Sequence, residues 1–258
     1  MTAPPLLEIT DITIRFDGLV AVNSVSLAIP ARQIRGLIGP NGAGKTTFFN
    51  AISGLVRPSA GTMRFAGADI TQLPAHRRAA TGMRRTFQSV QLLAHQTVLE
   101  NVLIGLHTQF IDKPWWQRPG LRRRHAPEAE AQWAVAQALG FLGIGRHILT
   151  PVNRLSFADQ RRTEIARAIV SRPLLLLLDE PAAGLSPAEV DQLGHLLHRL
   201  RDEWGMTILL VEHVLSLVLD RSDQVTVLEN GRLIADGPPA AVASDPAVRR
   251  AYLGTEDA

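Results

Sequence analysis

Cysteine is absent from the 258-residue chain, which excludes a disulfide framework, thiol chemistry and zinc–thiolate sites, and is compatible with a reducing cytosol. No apolar run approaches the roughly 18 residues that a membrane span requires, and the N-terminus MTAPPLLEIT lacks the basic region followed by an apolar one that marks a secretory leader. The expectation is a soluble cytosolic chain, peripheral to a membrane at most. Charge of one sign is scarce too. The formal excess is +3, carried almost wholly by arginine rather than lysine, and so small a surplus does not indicate nucleic acid. Solenoid-type repeats and low-complexity tracts are lacking. The length suits one large α/β domain, or a core with a subsidiary lobe, that buries most of its apolar surface.

What is present falls into three stretches. In the first, LEITDITIRF and VNSVSLAIP alternate apolar and polar residues and RQIRGLIGP is more continuously apolar, so all three read as strands. A helix is expected at once from KTTFFNAISGLV, followed by a strand and turn in GTMRFAGADI, closing a first lobe of mixed sheet. From Gln88 to Ser171 the strand pattern gives way to helical spacing in VLENVLIGL, EAEAQWAVAQALGFLGI and QRRTEIARAIVS. A proline-punctuated basic loop, Pro114 to Pro127, lies inside this helical stretch; a solvated loop is the plainer reading, and contact with anionic lipid heads or a partner the other. In the third stretch LLLLLDE and MTILLVEH are nearly pure apolar runs, as in parallel strands covered on both faces. Between them Ser186, Pro187 and Glu189 mark the capped start of a helix. Asn230-Gly231 is a hairpin signal, and a short terminal helix follows it.

The chemistry concentrates in a few places. GPNGAGKTT, Gly39 to Thr47, matches G-x-x-x-x-G-K-[ST] between an apolar strand and a helix. Gly39, Gly42 and Gly44 let the backbone, with Asn41 and Ala43, point N–H groups at phosphate oxygens, and the following helix adds the positive end of its dipole. Lys45 places a charge on the outer phosphates, Thr46 completes the motif and offers a hydroxyl to magnesium, and Thr47, next in the chain, is counted with the nucleotide-binding residues. LLLLLDE carries Asp179 and Glu180 to the edge of the sheet: Asp179 to hold magnesium, Glu180 to polarise an attacking water as general base. His213, after the next strand, faces the γ-phosphate and that water. Gln88 stands at the junction of sheet lobe and helical stretch, where its side chain reaches the magnesium and reports domain rotation. Taken alone, His213 and Gln88 would be ordinary loop residues.

In this order the P-loop, Gln88, LSFAD, LLLLLDE and His213 resemble the nucleotide-binding subunit of ATP-binding cassette transporters over essentially the whole chain. RFDGLVAVNSVSL, RRTFQSVQLL, QRRTEIARAI, LDEPAAGLSP and the ending AYLG, with the basic insertion before LSFAD, are similar to the importer branch for branched-chain amino acids and amides. The resemblance implies an α/β fold: the mixed sheet of a P-loop NTPase with an N-terminal antiparallel β subdomain and an inserted α-helical signature subdomain. The single domain 1–258 would comprise a nucleotide-binding core, 1–87 and 172–258, and a helical subdomain, 88–171. It implies ATP and Mg2+ as cofactors, with Thr46, Gln88 and Asp179 toward the metal, Lys45, Gln88, Glu180 and His213 as the catalytic set, and Phe16 against the adenine, although Phe16 also continues a core alternation. Ser156 would bond the γ-phosphate of ATP held by a second cassette, identical or different. Transmembrane permease subunits, docked near Gln88 to Val98 through Val90, Leu92 and Leu93, would place the chain on the cytoplasmic face of the inner membrane, with a solute-binding protein as an indirect partner and no nucleic acid. For those three apolar residues, helix core is the competing reading.

The signature departs from the family form. Ala158 stands where glycine is typical, where a positive φ would cost about 1 kcal/mol, and Asp159 stands where glutamine is typical and would repel a phosphate if it faced one. Ser186 occupies a position usually held by aspartate. With a different partner cassette, the site completed by LSFAD is expected to be the slower of two. Competing readings are lipid or lipopolysaccharide export, an ATP-gated subunit with weak turnover and, from another class, a nucleic-acid ATPase suggested by Arg122-Arg123-Arg124. The last is disfavoured by the lack of a second cassette or a long coiled-coil insertion.

Overall fold

The computed structural model describes residues 4–107 and 126–253, so nearly all of the basic loop read at 114–127 lies outside the described residues. Strands β1 (Leu7–Phe16), β2 (Leu19–Ile29), β4 (Ala60–Phe65) and β5 (Ala68–Asp69) form an antiparallel sheet in the order β2-β1-β4-β5. Alternation predicts this for β1, in which Leu7, Ile9, Ile12 and Ile14 are buried. The period slips once, between Ile9 and Ile12, where Asp11 adopts φ 50° and the ladder shifts register. The extra residue keeps both pairs on the core face.

A six-stranded sheet runs β10 (Arg232–Gly237), β9 (Gln224–Glu229), β3 (Ile34–Ile38), β8 (Thr207–Val211), β7 (Leu175–Asp179), β6 (Met83–Arg85). The pairs from β9 through β6 are parallel, and β10 joins antiparallel at the edge. Every residue of β3, β7 and β8 is buried, because both faces are covered. The pleat divides them. Leu37, Leu175, Leu177, Leu209 and Val211 pack with Phe48, Phe49 and Ile52 of helix α1 (Lys45–Ser53) and with the antiparallel sheet. Ile34, Ile38, Leu176, Leu178, Ile208 and Leu210 face the other way, with residues of helices α5 (Phe157–Ile169), α6 (Pro187–Asp202) and α7 (Leu215–Arg221). The helix that follows the glycine-rich loop is therefore enclosed between two sheets, and the strand RQIRGLIGP belongs to the second sheet rather than to a single first lobe.

Between β6 and β7 the regular elements among the described residues are helical apart from one isolated Thr97–Pro151 bridge: α3 (Val98–Leu103), a 3-10 turn at Ile104–Leu106, α4 (Ala126–Phe141), two further 3-10 turns and α5. Helix α2 (Ala75–Ala80), helix α7 and strand β6 have no counterpart in the sequence reading. They run to seven residues at most, too short for a period to be read. Helix α1 stops at Ser53 rather than running on to Val56, since Gly54 turns left-handed at φ 81° and donates to the carbonyls of Ala51 and Asn50. Asn230 and Gly231 take φ 47° and 74° in the β9–β10 hairpin. The expected terminal helix is two, α8 (Pro239–Ser244) and α9 (Pro246–Leu253), split where Pro246 follows Asp245. Ser186 caps α6, with the Glu189 carboxylate accepting both its N–H at 2.8 Å and its hydroxyl at 2.7 Å.

Arg78, on α2, fixes the far end of α1. It is 1% exposed and donates to the carbonyls of Ala51 (2.7 Å), Ile52 (2.8 Å), Leu73 (2.8 Å) and Thr71 (3.1 Å). Burial pushes its pKa down to about 10. Replacing Arg78 with Met would strand several buried carbonyls at once, and a loss of about 3 kcal/mol is expected. The check is the urea midpoint: a shift equivalent to under 1 kcal/mol would mean that water replaces the guanidinium.

Candidate active site

The loop from Gly39 to Gly44 leaves β3 under tight steric limits. A Cβ on Gly39 (φ 151°) would come within 2.0 Å of the Leu228 carbonyl oxygen, and one on Gly44 (φ 94°) within 2.4 Å of that of Ala21. Glycine is required at both positions by backbone neighbours that cannot yield. Gly44 precedes α1 without any side-chain cap, so the first N–H groups of that helix face the loop. Lys45 is only 6% exposed. Its ammonium donates to the carbonyls of Gly39 (2.6 Å) and Pro40 (2.9 Å), and burial lowers its pKa while the charge of Glu180 opposes that shift.

The acids meet the loop from β7. Glu180 adopts φ 46°, a conformation that costs a non-glycine residue on the order of 1 to 3 kcal/mol and that clusters at functional sites. Its carboxylate is gripped from two sides: His213 Nε2 lies 3.0 Å from Oε1, and Gln88 Nε2 donates to Oε2 at 2.8 Å. Three residues read separately from the sequence thus share one hydrogen-bonded group. With Phe16, Asn41, Gly42, Ala43, Gly44, Lys45, Thr46, Thr47 and the Asn230-Gly231 hairpin they line a cavity of about 760 Å³. Phe16 is 46% exposed at its rim, so the core reading of that residue is set aside.

Three expected residues do not line the cavity: Gly39, at the start of the loop, whose carbonyl accepts from Lys45, and two that stand elsewhere. Asp179 is 6% exposed and does not line the cavity; its Oδ2 accepts from Arg85 Nη2 at 2.8 Å. Ser156 also lies away from the cavity, at the N-cap of α5. Its hydroxyl accepts from the Asp159 N–H (3.2 Å) and donates to Asp159 Oδ2 (3.0 Å). Asp159 neither projects outward nor stands unpaired: its side chain is 13% exposed, with Arg162 at 3.3 Å and His147 at 3.6 Å. Ala158 lies within the helix, so the positive-φ penalty does not arise there.

Sequence reading missed two features. Arg161 and Glu164 of α5 form a buried ion pair at 2.9 Å. Arg161 donates to the carbonyls of Phe87 (3.1 Å) and Gln88 (3.0 Å), and Glu164 accepts from the Phe87 N–H (3.3 Å), so the helix that begins at Ser156 holds the backbone that carries Gln88. The segment after Gln88 is irregular rather than helical, which corrects the helix-core alternative for Val90, Leu92 and Leu93; Leu93 is 53% exposed, and Leu92 packs partly on the core. The second missed residue is Glu212, 2% exposed. It accepts from the N–H groups of Ala182 (2.6 Å) and His213 (3.1 Å) and bridges the loops that carry Glu180 and His213. An acid closing a pure apolar run, as in LLLLLDE, was the available signal.

Comparison with known proteins gives a consistent picture. Residues 22–183 match the family model described as ABC transporter, and residues 232–258 match one described as branched-chain amino acid ATP-binding cassette transporter. The chain is 42% identical over 256 residues to the high-affinity branched-chain amino acid transport ATP-binding protein BraF of Pseudomonas aeruginosa, covering 97% of this chain and 98% of that one. It is 36% identical over 235 residues to the lipopolysaccharide export system ATP-binding protein LptB of Haemophilus influenzae, covering 91% of each. Among solved structures it superposes on MJ1267, an ATP-binding cassette of an ABC transporter in its ADP conformation, with TM-score 0.83 and 31% identity over 98% of this chain and 100% of that chain.

Burial raises the pKa of Glu212, and the nearby charge of Glu180 adds to the effect, against three backbone N–H donors that lower it. A raised folded pKa means that the folded chain holds this proton more tightly than the unfolded one. Its contribution to stability is therefore full below the ordinary glutamate range and lost as pH rises through the folded value. Glu212→Gln should abolish that slope in urea titrations run across this window. It should also lower ATP turnover about tenfold or more, because an amide cannot accept from both loops. An unchanged slope would assign the pH dependence to another group.

Proposed function

The chain belongs to the ATP-binding cassette transporter family, and on that premise we propose that it energises import of branched-chain amino acids or related amides and organic acids across the inner membrane. It is the ATP-hydrolysing subunit of such a system and works with membrane permease subunits. The observation that carries the catalytic reading is the carboxylate of Glu180 held between His213 and Gln88 at the rim of a glycine-rich phosphate loop.

In this reading Phe16 stacks on the adenine, contributing about 0.5 to 1.5 kcal/mol beyond the area it buries. The N–H groups of the loop and of the first turn of α1 surround the phosphates. Lys45 exchanges its two carbonyl partners for phosphate oxygens, whose negative charge offsets the cost of burying the ammonium better than neutral carbonyls can. Glu180 takes a proton from the attacking water while His213 keeps the carboxylate aimed and holds the γ-phosphate side of the site. The hydroxyl of Thr46, the amide oxygen of Gln88 and the carboxylate of Asp179, the last through water, are all oxygen donors and suit Mg2+. That ion supplies neutralisation of phosphate charge when bound. Among the described residues no group of three or more acidic, histidine or cysteine side chains forms a metal site of its own.

The signature serine, Ser156, would complete the ATP site of a second cassette, with helices α3 and α5 moving as closure proceeds. Arg161 and Glu164 give that motion a physical route, since they tie α5 to the backbone of Gln88 and so to Glu180. Docking of the permease beside the exposed Phe87 and Leu93 would couple to the same segment. Among the described residues no helix is long and apolar enough to cross a membrane, and the cytoplasmic face is where ATP is available. Export of lipopolysaccharide is the second reading, supported by the LptB likeness. The higher identity to BraF and the match over 232–258 favour import.

Glu180→Gln is expected to retain ATP binding, to lose about 10²- to 10⁴-fold in turnover, and to associate with a second cassette only when ATP is present, as seen by light scattering. Undiminished turnover would remove Glu180 from the reaction. Deleting the gene should abolish uptake of labelled leucine; intact uptake accompanied by an outer-membrane defect would favour the export reading.

A further inference from the structure

Arg85 lies at the end of β6, with a side chain 10% exposed. Its guanidinium joins three parts of the core. Nη2 donates to Asp179 Oδ2 at 2.8 Å, while Nη1 donates to Asn50 Oδ1 at 2.6 Å and to Ser53 Oγ at 2.8 Å on α1. The planar group also stacks between two rings, 4.7 Å from the centre of Phe49 and 5.3 Å from that of Phe87. Only one oxygen of Asp179 is engaged by the arginine, and the carboxylate is itself 8% exposed. Without the arginine this buried carboxylate would be an uncompensated charge, and it would relax by rotating away from its place.

We propose that Arg85 is a positioning residue for Asp179. By fixing one carboxylate oxygen it directs the other toward the hydrated metal of the nucleotide, and through Phe87 it ties that carboxylate to the segment carrying Gln88. The inference rests on the reading of Asp179 as a metal-facing group. Arginine suits the task better than lysine, because a planar fork can bond two elements and stack between rings at once, whereas an ammonium is a point charge. The same guanidinium and Phe87 form part of the wall of a groove of about 300 Å³ that also includes Leu55 and His76. What presses on that groove therefore presses on the residue that orients Asp179.

The test uses the full chain carrying Glu180→Gln, so that bound ATP survives, and follows Mn2+ binding to the ATP-loaded protein by electron paramagnetic resonance. Adding Arg85→Met should weaken Mn2+ binding by about tenfold or more, the usual effect of losing an outer partner of a metal-facing group. ATP affinity without metal should change by less than about threefold, and Arg85→Lys should fall between the two. In an Asp179→Asn background, Arg85→Met should have no further effect on the metal. Mn2+ binding unchanged by Arg85→Met while Asp179→Asn weakens it would overturn the proposal alone. If Asp179→Asn itself leaves Mn2+ binding intact, the metal-facing reading of Asp179 fails and the proposal with it. Should Arg85→Met not fold, Asn50→Ala removes one anchor of the fork and keeps its charge. A weakening of about threefold then supports the proposal, and no change overturns it.

Discussion

Strand register decides where the chemistry of this protein can sit. Leu37 of β3 and Asp179 of β7 both pair with Val211 of β8, so three parallel strands end level with one another. Gly39, Glu180 and His213 each follow within two residues of that line. Slipping β8 by one residue would turn its buried faces inside out and would also carry His213 away from Glu180. The continuous apolar runs that make these strands recognisable are thus the device that aligns the phosphate loop, the acid and the histidine at one sheet edge.

Charges that would be costly in such an interior are placed so that each has several partners. Lys45 rests on two carbonyls, Glu212 on backbone N–H groups from two loops, and Arg85 on Asp179 and two side chains of α1. None of these contacts is equivalent to a solvent-exposed ion pair, which would contribute little. Their value is geometric: a buried charge satisfied by groups on separate elements fixes the distance between those elements. Glu180, by contrast, sits in a strained backbone conformation with an open approach to the cavity. Rigid supports therefore surround a strained and accessible acid.

How much of this was legible in the sequence follows from the kind of signal involved. The phosphate loop, the acid pair and the capped start of α6 announce themselves by local spacing, and LLLLLDE even gives the edge to which its acids are delivered. Phe16 could not be placed by alternation alone, because a strand that ends at a cavity rim keeps its period while losing its cover. Arg85, Arg161 and Glu164 were invisible as site-builders, since Asp179 and the backbone of Phe87 and Gln88, which they hold, lie far from them in sequence or in another element and only folding brings them together. QRRTEIARAI reads as an ordinary amphipathic helix until its arginine and glutamate are seen to hold the backbone of Phe87 and Gln88.

The altered signature can now be located physically. Ala158 is helical and carries no backbone penalty, while the charge of Asp159 is neutralised within its own element by Arg162 and turned away from open solvent. What remains is competition for one proton. The hydroxyl of Ser156 donates to Asp159, and a hydroxyl has only one hydrogen to give. If Ser156 is to donate to a phosphate on a second cassette, it must first release that carboxylate, which then relies on Arg162 and His147 alone. The departure from the family sequence thus leaves the helix intact and changes the cost of engaging the serine, so any slower site would be slow in closing rather than malformed.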